Sequence, residues 1–215
     1  MPRTVDSVRQ VTIDEHWGDL SPESETEQLS LAPPDPSTVE VMVDDYPFPD
    51  QTIFQGNFRY KRGRVGTDVA TGTYQIRSGS GLLILRKESG RIHPDDVATA
   101  ISDEVNGDIE IHDSIILNRE GLWRFIDSAD TKMEIEVLTP IGEVRGLDEL
   151  QEEEELSYED VFGDYPVNHA RIFFSTNDEE SIEVVYANDT LSIGSSSDYA
   201  HEYVIQLFER DVIGE

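Results

Sequence analysis

Asp108, Glu110 and His112 alternate with Ile109 and Ile111. On a strand, that alternation projects two carboxylates and an imidazole from one face, and such oxygen and nitrogen donors could ligate a hydrolytic metal ion. The spacing argues against it. Next-but-one residues on a strand stand about 6.6 Å apart, wide for three ligands sharing one ion. Asp and Glu also number 46 among 215 residues, so such triplets arise without function. A solvated strand face is the simpler expectation, and a metal-dependent hydrolase is the third functional reading. His16, His93, His169 and His201 show no ligand spacing relative to one another.

The stretch FRYKRGRVG, Phe58 to Gly66, brings a different chemistry, with Arg59, Lys61, Arg62 and Arg64 within six residues. Between Asn57 and Arg91 lie eight of the sixteen cations and only two acids, Asp68 and Glu88, so the window carries +6 and the remaining 180 residues −36. Alternation sets Phe58 and Tyr60 on one face of a strand, and Arg59 and Lys61 on the other. A following strand would add Arg77 to the cationic face. Guanidinium groups so placed can make bidentate contacts to carboxylate or phosphate. The candidate binding residues are therefore Arg59, Tyr60, Lys61, Arg64, Arg77 and Arg86, with Tyr60 as a base-stacking platform if exposed. The competing expectation is internal, the same cations being held by acids of this chain.

Several chemistries are excluded or unsupported. There is no cysteine, hence no disulfide, thiolate metal site or cysteine nucleophile. Ser78-Gly79-Ser80-Gly81 and Gly194-Ser195-Ser196-Ser197-Asp198 fit no nucleophile elbow, Walker loop or dinucleotide fingerprint, and read as a hairpin turn and a helix cap. None of Lys61, Lys87 and Lys132 has a Glu two places before it, which leaves a Glu-x-Lys nuclease strand unsupported. Asn188-Asp189-Thr190 matches the glycosylation pattern by chance.

With formal net charge −30 and three lysines, the composition resembles that of proteins from salt-accumulating archaea, where screening relieves carboxylate repulsion. No apolar run has the length of a signal peptide or membrane span. A halophilic cytoplasm is the expected setting.

The elements that must position these groups follow from periodicity. Residues 1–37 are polar and contain Pro33, Pro34 and Pro36, which predicts a disordered acidic arm. Residues 38–145 read as an α+β core. VEVMV from Val39, TIFQGNFRYKRG, ATGTYQIR and GLLILRKE form an antiparallel meander. A helix from Pro94 carries Val97, Ile101 and Val105 on one face and stops at Asn106-Gly107. DIEIHDSIIL is a strand, a helix capped by Asn118 follows, and KMEIEVLTPIGEV is one strand. Residues 146–163 read as an acidic linker. Residues 164–215 read as a βββα unit packing on the core, its helix marked by Ala200, Tyr203, Val204, Leu207 and Phe208.

The fold class expected is thus α+β, an antiparallel meander with two or three helices followed by a smaller βββα unit. The expected function is a non-catalytic interaction or regulatory protein with a protein partner, using the basic face of residues 57–91. A nucleic-acid-binding accessory protein is the alternative. No cofactor and no membrane association are called for.

Overall fold

The computed structural model of the protein describes residues 4–13, 24–25, 28–62, 68–104, 109–112, 115, 118–153, 156–162, 164–175, 181–187, 190–195 and 197–214. It is an α+β protein, and the strand pairs described below are antiparallel. It divides into two units, one formed by Thr4–Glu40 and Phe48–Ile115, the other, among the described residues, by Val41–Pro47 and 118–214.

The first unit contains β1 (Thr4–Ile13), β2 (Ser24–Glu25), β3 (Leu29–Leu31), β4 (Asp35–Thr38), β5 (Thr52–Lys61), β6 (Val69–Arg77), β7 (Leu82–Ser89), α1 (Pro94–Glu104) and β8 (Ile109–Ile111). The order runs β1-β7-β6-β5-β3-β2, with β4 also pairing β5 and β8 pairing the end of β1. β-Branched and aromatic residues suit these strands. The β6–β7 turn closes where Gly81, at φ +64°, donates its N–H to the Arg77 carbonyl at 2.9 Å. One sheet face is apolar: Phe58, Tyr74, Ile76, Leu83 and Leu85 pack under Val97, Ala98 and Ile101 of α1. The Tyr74 ring lies over Gly56, where a Cβ would come within 2.6 Å of the phenol oxygen.

The second unit contains α2 (Arg119–Asp127), β9 (Thr131–Leu138), β10 (Val144–Gly146), α3 (Leu147–Glu153), α4 (Tyr158–Val161), β11 (Val167–Ser175), β12 (Ser181–Ala187), β13 (Thr190–Ser195) and α5 (Asp198–Phe208), which continues as a π-helical turn, Glu209–Ile213. The strand order is β10-β9-β11-β12-β13. Phe125 of α2 packs on Phe174 and Phe208, each with ring centroids 5.3 Å away. Residues 41–47 lie along α5: Met42 N donates to Gln206 Oε1 at 2.8 Å, and the Tyr46 hydroxyl to Glu209 Oε2 at 2.5 Å.

Four sequence expectations change. The arm of residues 1–37 contains β1, a ten-residue strand, and β2 to β4. β1 hides from a pattern search because its buried Asp6 and Arg9 look like surface residues, yet each is matched, Asp6 by Arg86 and Arg9 by Asp95. Val39–Val43 is not a strand. Pairing with β5 falls instead on Asp35–Thr38, at an edge where Pro36 is tolerated. KMEIEVLTPIGEV is a hairpin, β9 turning into β10. The linker 146–163 is largely helical, α3 and α4, because Leu147, Leu150 and Val161 find buried positions while Asp148, Glu149, Glu152, Glu153 and Asp160 face solvent. β11 pairs with β9, so the expected boundary at 146–163 falls inside one unit. Of the expected strand over 108–117, Ile109–Ile111 is paired, and residues 108, 113–114 and 116–117 lie outside the described residues, as do Val105 and Asn106-Gly107 at the expected end of the preceding helix.

Candidate functional site

Registers place the candidate cations. Arg59 stands opposite Thr71, Asn57 opposite Thr73, and Gln55 opposite Gln75; on the next pair Thr73 faces Arg86, and Arg86 in turn faces Asp6. Cross-strand partners share a face, so Gln55, Asn57, Arg59 and Lys61 lie with Thr71, Thr73, Gln75, Arg77 and Arg86 opposite the α1-covered core. Alternation therefore assigns the face correctly, but the face is not uniformly cationic or uniformly exposed.

Arg77 is 0 % exposed, and Leu82 and Ile84 beside it on that face are buried too. It cannot serve an external partner. Arg86 is engaged within the sheet, its Nε 2.8 Å from Asp6 Oδ1 and its Nη2 3.0 Å from Oδ2. Tyr60 belongs to the opposite face, half-buried against the apolar core, which removes it as an external stacking platform. Arg64 lies outside the described residues. Outside the six, Arg62 reaches Asp96 at 3.8 Å and Lys87 Nζ donates to the Ile92 carbonyl at 3.2 Å. Arg59 is exposed, Lys61 is half-exposed, and among the described residues neither forms an ion pair.

Around Arg59 the surface is made of amides and hydroxyls. Gln75 Nε2 donates to Gln55 Oε1 at 3.1 Å, and Thr71 and Ser89 share a hydroxyl hydrogen bond at 2.7 Å. At the β4 side a shallow cleft of about 290 Å³ is lined by Pro33, Asp35, Ser37, Gln55, Gly56 and Asn57. Beneath it Tyr74 donates to the Ala32 carbonyl at 2.7 Å, and burial pushes its hydroxyl up to about 12. Charge counting passed over Gln55, Asn57, Thr71, Thr73 and Gln75 because they are neutral. Their sequence signal is negative: β5 and β6 together contain no Asp or Glu, in a chain with 46 of them.

The Asp108-Glu110-His112 triplet divides. Asp108 lies outside the described residues, Glu110 is exposed, and His112 Nε2 is 2.8 Å from the Thr12 hydroxyl. Among the described residues no group of three or more His, Asp or Glu is arranged to hold an ion. Gly79 N, Ser80 N and the Ser80 hydroxyl all donate to Gln51 Oε1, so the turn's donors point at the chain's own amide. Ser197 caps α5 by accepting from Ala200 N. No helix among the described residues is long and apolar enough to cross a membrane.

Compared with known proteins, the chain matches no family model and no curated sequence.

Proposed function

We propose that this is an interaction protein of a salt-rich cytoplasm that docks a protein partner on the solvent face of β5 and β6. The observation that carries this reading is the acid-free strip Gln55, Asn57, Arg59, Lys61 with Thr71, Thr73 and Gln75, most of it solvent-accessible. At molar ionic strength the Debye length shrinks to about 3 Å, so long-range charge attraction contributes little. Directional hydrogen bonds from amides, hydroxyls and a guanidinium remain available. A surface built from them recognises a backbone edge or carboxylate-bearing segment at contact range.

A nucleic-acid reading keeps one supporting feature, the Arg59, Asn57 and Gln55 row, whose side chains can make bidentate contacts to base edges. It is weakened by Arg77, which is buried, and by Arg86, which is held by Asp6.

Affinity capture from an extract of a salt-accumulating archaeon at about 2 M KCl, with and without nuclease, separates the readings. Wild type should retain a protein partner in both lanes, and an Asn57→Asp/Arg59→Glu variant should release it. Capture abolished by nuclease would favour nucleic acid. Capture unaltered by the variant would remove this face from the function.

A further inference from the structure

The β9–β10 hairpin ends in an apolar ridge. Leu138 and Val144 are cross-strand partners, 38 % and 48 % exposed, and Ile141 at the tip is 79 % exposed. The turn is tightly specified. Gly142 N donates to the Thr139 carbonyl at 2.9 Å, Thr139 N to the Glu143 carbonyl at 2.8 Å, and Glu143 N to the Thr139 hydroxyl at 3.1 Å. Pro140 fixes its own φ, and Gly142 supplies the φ of +82° that closes the loop. Gly, Pro, Asn, Asp and Ser dominate such turns for reasons of backbone geometry and local hydrogen bonding. Ile141 serves none of them, and it packs on no core. A β-branched residue held in solvent by a rigid turn, in a chain of mean hydropathy −0.46, departs from local rules in the way functional positions do.

Carboxylates border the ridge near its tip. Glu143 follows the tip and is exposed, and Glu136 continues along β9 on the side of Leu138; farther along that face Glu134 stands opposite Arg171, which is itself paired with Glu183 at 2.6 Å. The hairpin's cations are engaged nearby, Lys132 with Asp127 at 2.7 Å and Arg145 with Glu149 and Glu153. An apolar ridge with a carboxylate collar is complementary to an apolar stripe bordered by cations.

We infer that the hairpin tip Leu138, Ile141, Val144 is a second docking surface, which receives a basic amphipathic helix of another protein. The helix lays its apolar stripe across the ridge and its Lys or Arg side chains on Glu143 and Glu136. The rigid turn lowers the ordering cost of presenting Ile141. Concentrated salt strengthens apolar burial where the salt is excluded from the surface and screens the collar beyond contact range, so the ridge supplies most of the affinity, and the collar adds contact ion pairs to a basic helix and repels an acidic one.

The test uses the full chain in about 2 M KCl and a synthetic amphipathic Leu/Lys helical peptide, with a Leu/Glu peptide of the same pattern as its counterpart. The Leu/Lys peptide should shift the amide resonances of Leu138, Ile141, Glu143 and Val144. Ile141→Ser should weaken it by about tenfold or more, as loss of one buried aliphatic side chain predicts, with the melting temperature unchanged. Val144→Thr, which keeps a strand-forming residue, should weaken it in the same direction. An Arg59→Gln/Lys61→Gln variant should bind this peptide like wild type, which separates this surface from the β5–β6 face. Equal affinity for the Leu/Glu peptide, unchanged affinity in both hairpin variants, or peptide shifts confined to other residues would overturn the inference. So would dimerisation of the chain through the hairpin, or capture by anionic vesicles that both variants abolish.

Discussion

Arg86 grips Asp6 with two parallel hydrogen bonds, 2.8 Å and 3.0 Å long, across the β1–β7 pair, and Asp6 is 1 % exposed. A carboxylate withdrawn from water depends on its partners, and removing one from a buried pair costs about 3 kcal/mol or more. Arg86→Gln should therefore destabilise the chain by roughly that amount in urea titrations at fixed KCl. A loss below about 0.5 kcal/mol would place Arg86 among ordinary surface residues.

Tyr46 makes a comparable contact in the second unit, donating to Glu209, which is fully buried in the π-helical turn. Tyr46→Phe deletes only the hydroxyl. The expected cost is about 1–3 kcal/mol, read as a lower melting temperature without loss of secondary structure. A variant as stable as wild type would mean that Glu209 draws nothing from Tyr46.

Alkaline pH reports on Tyr74. Its hydroxyl titrates at about 12 in the folded chain against an ordinary value of 10.0, because burial disfavours the phenolate. A folded-state value above the unfolded one gives stability that is complete below pH 10 and declines as pH rises toward 12. Stability should fall more steeply over that window in wild type than in Tyr74→Phe. Parallel pH profiles would contradict the assignment.

Salt should stabilise the fold. With 46 carboxylates against 16 cations, screening relieves more repulsion than attraction. The unfolding midpoint should rise from about 0.2 M to about 3 M KCl, and a flat response would argue against a salt-adapted surface.

Much of the architecture was legible where local patterns decide it. Ala200, Val204, Leu207 and Phe208 are buried at the predicted helical spacing, and Asn118 caps α2 by accepting from Glu120 N and Gly121 N. Strand alternation placed Arg59 and Arg77 on one face correctly. Their different fates were not legible, because whether a sheet face is buried depends on what lies over it rather than on its own period. The same limit hid β1, whose inward Asp6 and Arg9 find partners 80 and 86 residues away. In residues 146–163 the acids masked the two leucines that anchor α3.

The account turns on the division of one sheet face into Arg86, which pairs with Asp6, and Arg59 with Lys61, which the proposed function assigns to a partner. Denaturant unfolding of Arg59→Gln/Lys61→Gln beside Arg86→Gln, with partner capture on the same samples at about 2 M KCl, measures this most directly. The double variant should keep its stability within about 0.5 kcal/mol per site and lose the partner, while Arg86→Gln should lose stability and keep the partner as long as it is folded. A double variant that is both stable and fully able to capture the partner, or one destabilised as severely as Arg86→Gln, would contradict the account.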